Sequence, residues 1–330
     1  MARVASITAA HFAGEIGAAA DFMGPGAIEV NRYQTEIFDL VRRRYVFGQR
    51  ISQVMATGHP HRYFEQLAIG SANTTDPRKI AATATQPQRV ERPLMLKAIV
   101  AQINYNIFDI EVTAQQGQFA YLEAKDLADQ VDAVLKLHDQ TLWTGADTDL
   151  VLNTSNDYFG VSGQIMSAAD VNGFAHIRTI STSGSLVDNV KTQVAVMASR
   201  TDFEVKPSGL YLNPLFADLF DQEAKSVQLY YNEVEVIPGV IVKAIPTQIG
   251  LLPLIPDPAL TVLPSGAQKQ YTGFIISEEE VQYAWLTAPT PRVFQLGLVG
   301  NLAGSFVIVK FGAVVARGAG YAHSAIITTR

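Results

Sequence analysis

The 330-residue chain contains no cysteine. Disulfides, thiolate metal sites and cysteine nucleophiles are therefore excluded. Charge is also scarce: Asp, Glu, Lys and Arg make up 17% of the residues, against about a quarter in an ordinary globular chain. So little charge on so long a chain implies that much of its surface is covered, and sister subunits are the simplest cover. The net charge of −6 lacks the basic footprint of tight nucleic-acid binding, yet leaves loose containment of DNA open. Met1-Ala2-Arg3-Val4 does not begin a signal peptide, which would need a charged start, an apolar run and a cleavage site.

One long uncharged stretch exists, the 17 residues from Val293 to Val309 between Arg292 and Lys310. It carries Gln295, Asn301, Ser305 and glycines at 297, 300 and 304, a pattern of buried strands rather than of a membrane span.

Catalytic signatures are missing too. There is no Gly-Lys-Ser/Thr triplet of a phosphate-binding loop and no Gly-x-Ser-x-Gly elbow. The glycines between Gly312 and Gly320 lack dinucleotide spacing and read as strand-end turns. His59-Pro60-His61 has no third ligand nearby in sequence and reads as a surface turn rather than a metal site. Asp147-Thr148-Asp149 begins like a calcium loop, but Leu152 stands where the glycine belongs and the closing glutamate is absent. Glu278-Glu279-Glu280 reads as an exposed acidic turn. The expectation is no enzyme, no cofactor and no metal.

What is present is a sequence of parts. Residues 1 to about 31 are rich in Ala and Gly, broken by Gly24-Pro25-Gly26, and read as an arm that orders against a partner. A short helix is expected over Glu36–Tyr45, followed through Arg42-Arg43-Arg44 by a solvated end or a phosphate-facing patch. His59 to Gln88 is polar, with little apolar periodicity, and reads as a long hairpin with an irregular tip. A loop of that length is reasonable if it reaches a neighbouring molecule. Ile103, Tyr105 and Ile107 alternate with Gln102, Asn104 and Asn106, as in a half-buried strand. After Thr113 the period lengthens, and Leu127, Val131, Val134, Leu135 and Leu142 share one helical face up to Trp143-Thr144-Gly145. A helix of roughly 25 residues would span about 37 Å.

Asp147 to Gly184 is rich in turn residues, and Ser185 with Asp188 then opens a helix whose stripe is Val187, Val190, Val194 and Met197. A short buried strand follows at Lys206–Leu212, and Asn213-Pro214 starts another helix with Leu215, Phe216, Leu219 and Phe220 inside. From Val234 onward short strands alternate with prolines. The class is α+β.

Charge is distributed unevenly. Residues 61–100 hold six basic side chains (Arg62, Arg78, Lys79, Arg89, Arg92, Lys97) against three acids, and residues 111–150 hold eight acids against two lysines. A hairpin of about +3 and a helix region of about −6, which includes Asp126, Asp129 and Asp132, are complementary. Because a long hairpin rarely folds back on the helix that follows it, the acceptor expected is another copy. Arg78, Lys79, Arg89, Arg92 and Lys97 facing Asp126, Asp129 and Asp132 are the candidate inter-subunit contacts.

The order of these parts resembles the major capsid proteins of tailed bacteriophages, the HK97-like fold. His138-Asp139-Gln140-Thr141-Leu142-Trp143-Thr144-Gly145 resembles the end of that family's spine helix. Gly209–Leu219 resembles the strand–Asn-Pro–helix of its axial domain, and Val236–Pro246 the strand that follows. Phe311–Arg317 and Ala325-Ile326-Ile327 resemble its last peripheral strands. The resemblance implies an N-terminal arm and first helix over 1–58, an E-loop hairpin over 59–112, and a peripheral domain with the spine helix over 113–205. The axial domain would cover 206–290, with peripheral strands returning over 291–330.

It implies a structural subunit that self-assembles into hexamers and pentamers of an icosahedral shell around double-stranded DNA, held without sequence preference. Scaffolding, portal and cement proteins are the further partners, and no membrane is. The protein would reside in the virion after assembly in the host bacterial cytoplasm. An encapsulin-type nanocompartment holding a protein cargo is the alternative. Some family members crosslink a hairpin lysine to a peripheral asparagine with help from a glutamate. Lys79 or Lys97 and Asn301 lie in suitable regions, but Ile308-Val309-Lys310 stands where the glutamate would be, so no self-crosslinking is expected. No coiled-coil leader precedes the arm, so any scaffold is expected as a separate or removed piece.

Overall fold

A single long strand, β14 (Ala303–Ala316), organises one half of the molecule. The computed structural model describes residues 46–78, 85–106, 108, 122–152, 154–170, 173–200, 204–227, 232–237, 240–266, 268–299 and 303–330. Nearly all of these fall in one unit, Arg43–Asn106 with Ala124–Arg330; the other, Met1–Arg42 with Ile107–Glu123, holds only Phe108, Leu122 and Glu123 among the described residues. The arm and the helix expected at Glu36–Tyr45 lie outside the described residues.

On one edge β14 pairs antiparallel with β4 (Lys97–Asn106), from Gly312↔Lys97 to Ala303↔Asn106. The opposite edge is shared by β13 (Arg292–Val299) and then β12 (Val281–Trp285). A parallel strand, β1 (Ser52–Met55), completes five strands next to β12. The uncharged stretch is thus strand, as expected, but it is not buried throughout: Val293, Phe294 and Leu296 on β13 are exposed, because β13 is an edge strand of this sheet. Among the described residues no helix is long and apolar enough to cross a membrane.

The second sheet has the order β5 (Ile177–Ile180), β15 (Ser324–Thr329), β11 (Gln268–Ile276), β6 (Gly209–Leu212), β9 (Gly250–Pro256), β8 (Val240–Thr247) and β7 (Asn232–Ile237), and β10 (Leu263–Ser265) adds to β11. Against it pack α4 (Leu186–Ala198) and α5 (Pro214–Val227), which bury Val187, Val190, Val194 and Met197 with Phe216 and Phe220. Both helix starts follow the expected chemistry. Ser185 Oγ accepts from Asp188 N at 3.2 Å, and Asn213 Oδ1 accepts from Leu215 N at 2.9 Å.

Two segments assigned by resemblance to the peripheral domain, 177–198 and 324–329, contribute strands and a helix to this sheet and its core. Conversely, Val281–Trp285, assigned to the axial domain, pairs with β14. Their apolar stripes select these neighbours irrespective of chain order. The antiparallel hairpin is β2 (His61–Ala68) with β3 (Gln88–Leu94), while Lys97–Asn106 of the expected 59–112 segment belongs to the five-stranded sheet.

The long helix is α2 (Leu122–Thr144), 23 residues or about 34 Å. Its last turn enters an aromatic cluster. Trp143 stacks on Phe47 at 4.1 Å and lies 5.6 Å from Phe274, and its Nε1 donates to buried Asp257 at 2.9 Å. Phe47 opens α1 (Phe47–Arg50). Gly145 and Gly160 let the end of α2 meet the next segment backbone to backbone: a Cβ at Gly145 would lie 2.2 Å from Tyr158 O.

The turn-rich stretch also hides a short helix, α3 (Val161–Ser167), fixed by Gln164. Buried Gln164 donates through Nε2 to Phe159 O and Val314 O, and its Oε1 accepts from Ala316 N at 2.8 Å. All of its amide capacity that matters is thereby used inside the protein.

Candidate functional site

Surfaces are the candidate site of this chain, although a few buried side-chain nitrogens, those of His138, Arg200, Arg317, His323 and Arg330, have no hydrogen-bond partner among the described residues. Among the described residues no group of three or more His, Asp or Glu could hold a metal ion. Glu278, expected in an exposed turn, is largely buried at the start of a 3-10 turn. It accepts from Arg50 at 2.7 Å and from the Tyr211 hydroxyl at 2.5 Å. Burial, then the neighbouring Glu278 carboxylate, pushes the Tyr211 phenol far above its usual range. The triad ties α1 to β6, which is a structural task. Three acids in a row gave no hint that the first faces inward.

His61 is buried rather than on a surface turn, and its Nδ1 accepts from Thr57 N at 3.3 Å. Asp147 is also internal. Burial works to raise its carboxyl, but hydrogen bonds from Lys97, Thr154, Thr148 and Asp149 prevail and hold it at about 2. Its Oδ2 lies 2.6 Å from Lys97 Nζ, and the Lys97 side chain is only 8% exposed. Lys97, counted among the hairpin charges, is thus engaged in a buried ion pair within its own chain.

The other candidate contacts divide. Arg78 and Arg89 are exposed on the hairpin. Arg92 is half exposed and pairs across the hairpin with Glu65 at 3.2 Å. Arg62 pairs with Glu91 at 2.7 Å. Lys79 and Asn301 lie outside the described residues. On α2, Asp126, Asp129 and Asp132 are half-buried, and the exposed positions include Ala128, Ala133, Lys136, Leu137 and Gln140. Within the chain the structure does not bring the hairpin arginines and these aspartates together as ion pairs.

The hairpin also exposes large apolar side chains that charge counting missed. Phe64 is 69% exposed and Ile69 84%. Isolated large apolar residues, Phe64 and Ile69, in an otherwise polar hairpin were the available signal. Phe294 and Leu296 on β13 and Val100 on β4 are also exposed. Register places all three on one face of the sheet, beside Val309, Val307 and Ser305. Scattered apolar residues are ordinary on a surface, whereas aligned ones mark a contact face.

No family model and no curated protein matches the sequence. Solved structures do match the fold. The capsid asymmetric unit of cyanophage A-1(L) aligns with a TM-score of 0.63 at 12% identity, over 92% of this chain and 98% of that one. The capsid of a native GTA particle aligns with a TM-score of 0.62 at 10% identity, over 94% and 98%. The holo-SrpI encapsulin complex of Synechococcus elongatus aligns with a TM-score of 0.53 at 10% identity, over 93% of each chain. These neighbours are capsid and encapsulin proteins rather than enzymes. With two sheets, the long helix and nearly end-to-end correspondence, the chain has the HK97-like capsid fold.

Proposed function

We propose that the chain is a major capsid protein, the subunit of an icosahedral shell of hexamers and pentamers that encloses the double-stranded DNA of a tailed phage. The observation that carries this is the end-to-end match to phage and GTA capsid chains, which leaves no large part of this chain without a counterpart. The β2–β3 hairpin is then the E-loop and α2 the spine helix. The axial domain is built on the eight-stranded sheet with α4 and α5, and the peripheral domain on the five-stranded sheet. Arg78, Lys79 and Arg89 reach a neighbouring copy near Asp126, Asp129 and Asp132, with Arg92 partly engaged at home by Glu65. Scaffolding, portal and cement proteins join the shell, which forms in the host cytoplasm and ends in the virion.

The encapsulin match at equal coverage supports a second reading, a nanocompartment around a protein cargo. Electron microscopy and sedimentation of the purified protein test both. Closed shells or capsomer rings support assembly, and nuclease-protected DNA within them separates capsid from nanocompartment. A monomer or dimer under every condition would sink both readings.

A further inference from the structure

The hairpin is anchored to its own chain at two levels that differ in kind. At the root, Leu94 is buried with Ala284, Ala313 and Val315, and Tyr63 packs against that group. This level is apolar and permanent. One step outward the attachment is a single carboxylate. Glu65, with 11% of its side chain exposed, accepts from Arg92 Nε on the opposite strand at 3.2 Å. Its other oxygen accepts from Gly318 N, at 3.4 Å, in the turn between β14 and β15.

Beyond Glu65 the residues Gln66, Ala68 and Ile69 are exposed, and the β2–β3 register slips between Gln66 and Ala68. A bulge bends a strand and weakens its ladder locally. Between this level and the body lies an open cleft of about 300 Å³, lined by Glu65, Glu204, Glu280, Arg317 and Tyr321 among others. Gly318 has φ +62°, and a Cβ there would lie 2.4 Å from the Tyr321 ring, so the turn that presents the donating amide is held in one shape.

We infer that Glu65 is a positioning residue: it latches the hairpin at one angle to its own body, and the ladder between the root and Glu65 is the pivot the latch restrains. Three separate features meet there. The root cannot move without opening a core, the bulge weakens the ladder just outside the latch, and the cleft gives the strands somewhere to go. A carboxylate bonded on both sides is stronger than a neutral contact, and it is the group that joins the two moving parts. The angle so fixed belongs to the isolated chain, so the inference stands whether the shell holds DNA or a protein cargo.

Hydrogen exchange of the full-length protein tests it, comparing wild type with Glu65→Ala and Glu65→Gln. Loss of the latch should accelerate exchange of the ladder amides of Glu65–Leu67 and Arg89–Glu91 roughly tenfold, equal to about 1.4 kcal/mol of opening free energy. The amides of His61, Tyr63 and Leu94 should keep wild-type rates. Unchanged exchange, or equal acceleration at the root, would overturn the latch. If Glu65→Ala does not fold, Glu65→Gln and Arg92→Gln carry the same test. The chain has no cysteine, so spin labels at Gln88→Cys and Ser199→Cys give an independent reading. Their distance distribution should broaden when Glu65 is replaced, and an unchanged distribution refutes the pivot.

Discussion

Replacing Lys310 by methionine should stabilise the unassembled chain, and the gain should fade as pH rises. Lys310 lies on β14 with only 3% of its surface exposed. Its Nζ donates to Pro289 O, and the ammonium sits 4.9 Å from the centre of the Tyr283 ring. Burial lowers its pKa to about 8, from an ordinary value of 10.5. The difference corresponds to on the order of 3 kcal/mol by which the folded state disfavours the charged form. Below pH 8 both states bind the proton and the whole penalty applies. Between 8 and 10.5 the unfolded chain keeps the proton while the folded chain releases it, so stability rises with pH. By pH 9 the wild type should have recovered about 1.4 kcal/mol relative to Lys310→Met.

Urea denaturation of both proteins from pH 7 to 9.5 measures the difference directly. The range stops there because burial raises the Tyr63, Tyr158, Tyr211 and Tyr283 phenols, so the unfolded chain ionises first near pH 10 and stability falls. Parallel curves for the two proteins, or a variant less stable at pH 7, would refute this account of Lys310.

His323 is fully buried, and burial depresses it to about 4. The unfolded chain therefore binds its proton first on acidification, and stability should drop by about 2 kcal/mol between pH 7 and 5 from this group; denaturation midpoints at those two pH values, compared with His323→Asn, check it. Gly145→Ala places a methyl 2.2 Å from Tyr158 O and should cost roughly 1–3 kcal/mol or more in a thermal melt, whereas Gly173→Ala, where a Cβ meets nothing, should lose only the strain of its positive φ. Reversing Arg78 and Arg89 to Glu should impair shell assembly, and reversing Asp129 and Asp132 to Lys on the same chain should partly restore it. Since one exposed pair contributes only about 0–1 kcal/mol, the readout is shell yield by sedimentation, and normal assembly of the double reversal would refute charge docking.

Local signals in the sequence were reliable where the physics is local. Ser185 and Asn213 cap helices because their side chains reach backbone amides two or three residues on, and alternation over Gln102–Asn104 survives in the exposure of β4. The strand partners were not legible, since Lys97 meets Gly312 and Asn106 meets Ala303 across some two hundred positions. The same distance hid Lys97. Counted as a hairpin charge, it is spent on Asp147, fifty residues away. α3 escaped notice because seven residues with two inward apolar side chains, Val161 and Ile165, show too little period to read. Glu278 was read as surface because burial of a carboxylate depends on Arg50 and Tyr211, which no neighbouring residue announces.

The aromatic cluster at the end of α2 has a mechanical consequence. Phe47, Trp143, Tyr211 and Phe274 belong to the same core as Ile99, Ile308 and Tyr283, so both sheets draw on one set of side chains. Interiors packed this tightly resist compression and pass load onward. A push on the five-stranded sheet therefore arrives at the eight-stranded one with no slip plane between them, and the pair carries stress as a single rigid tile. Deformation is left to the elements that stand outside that core, among them, in the described residues, the β2–β3 hairpin.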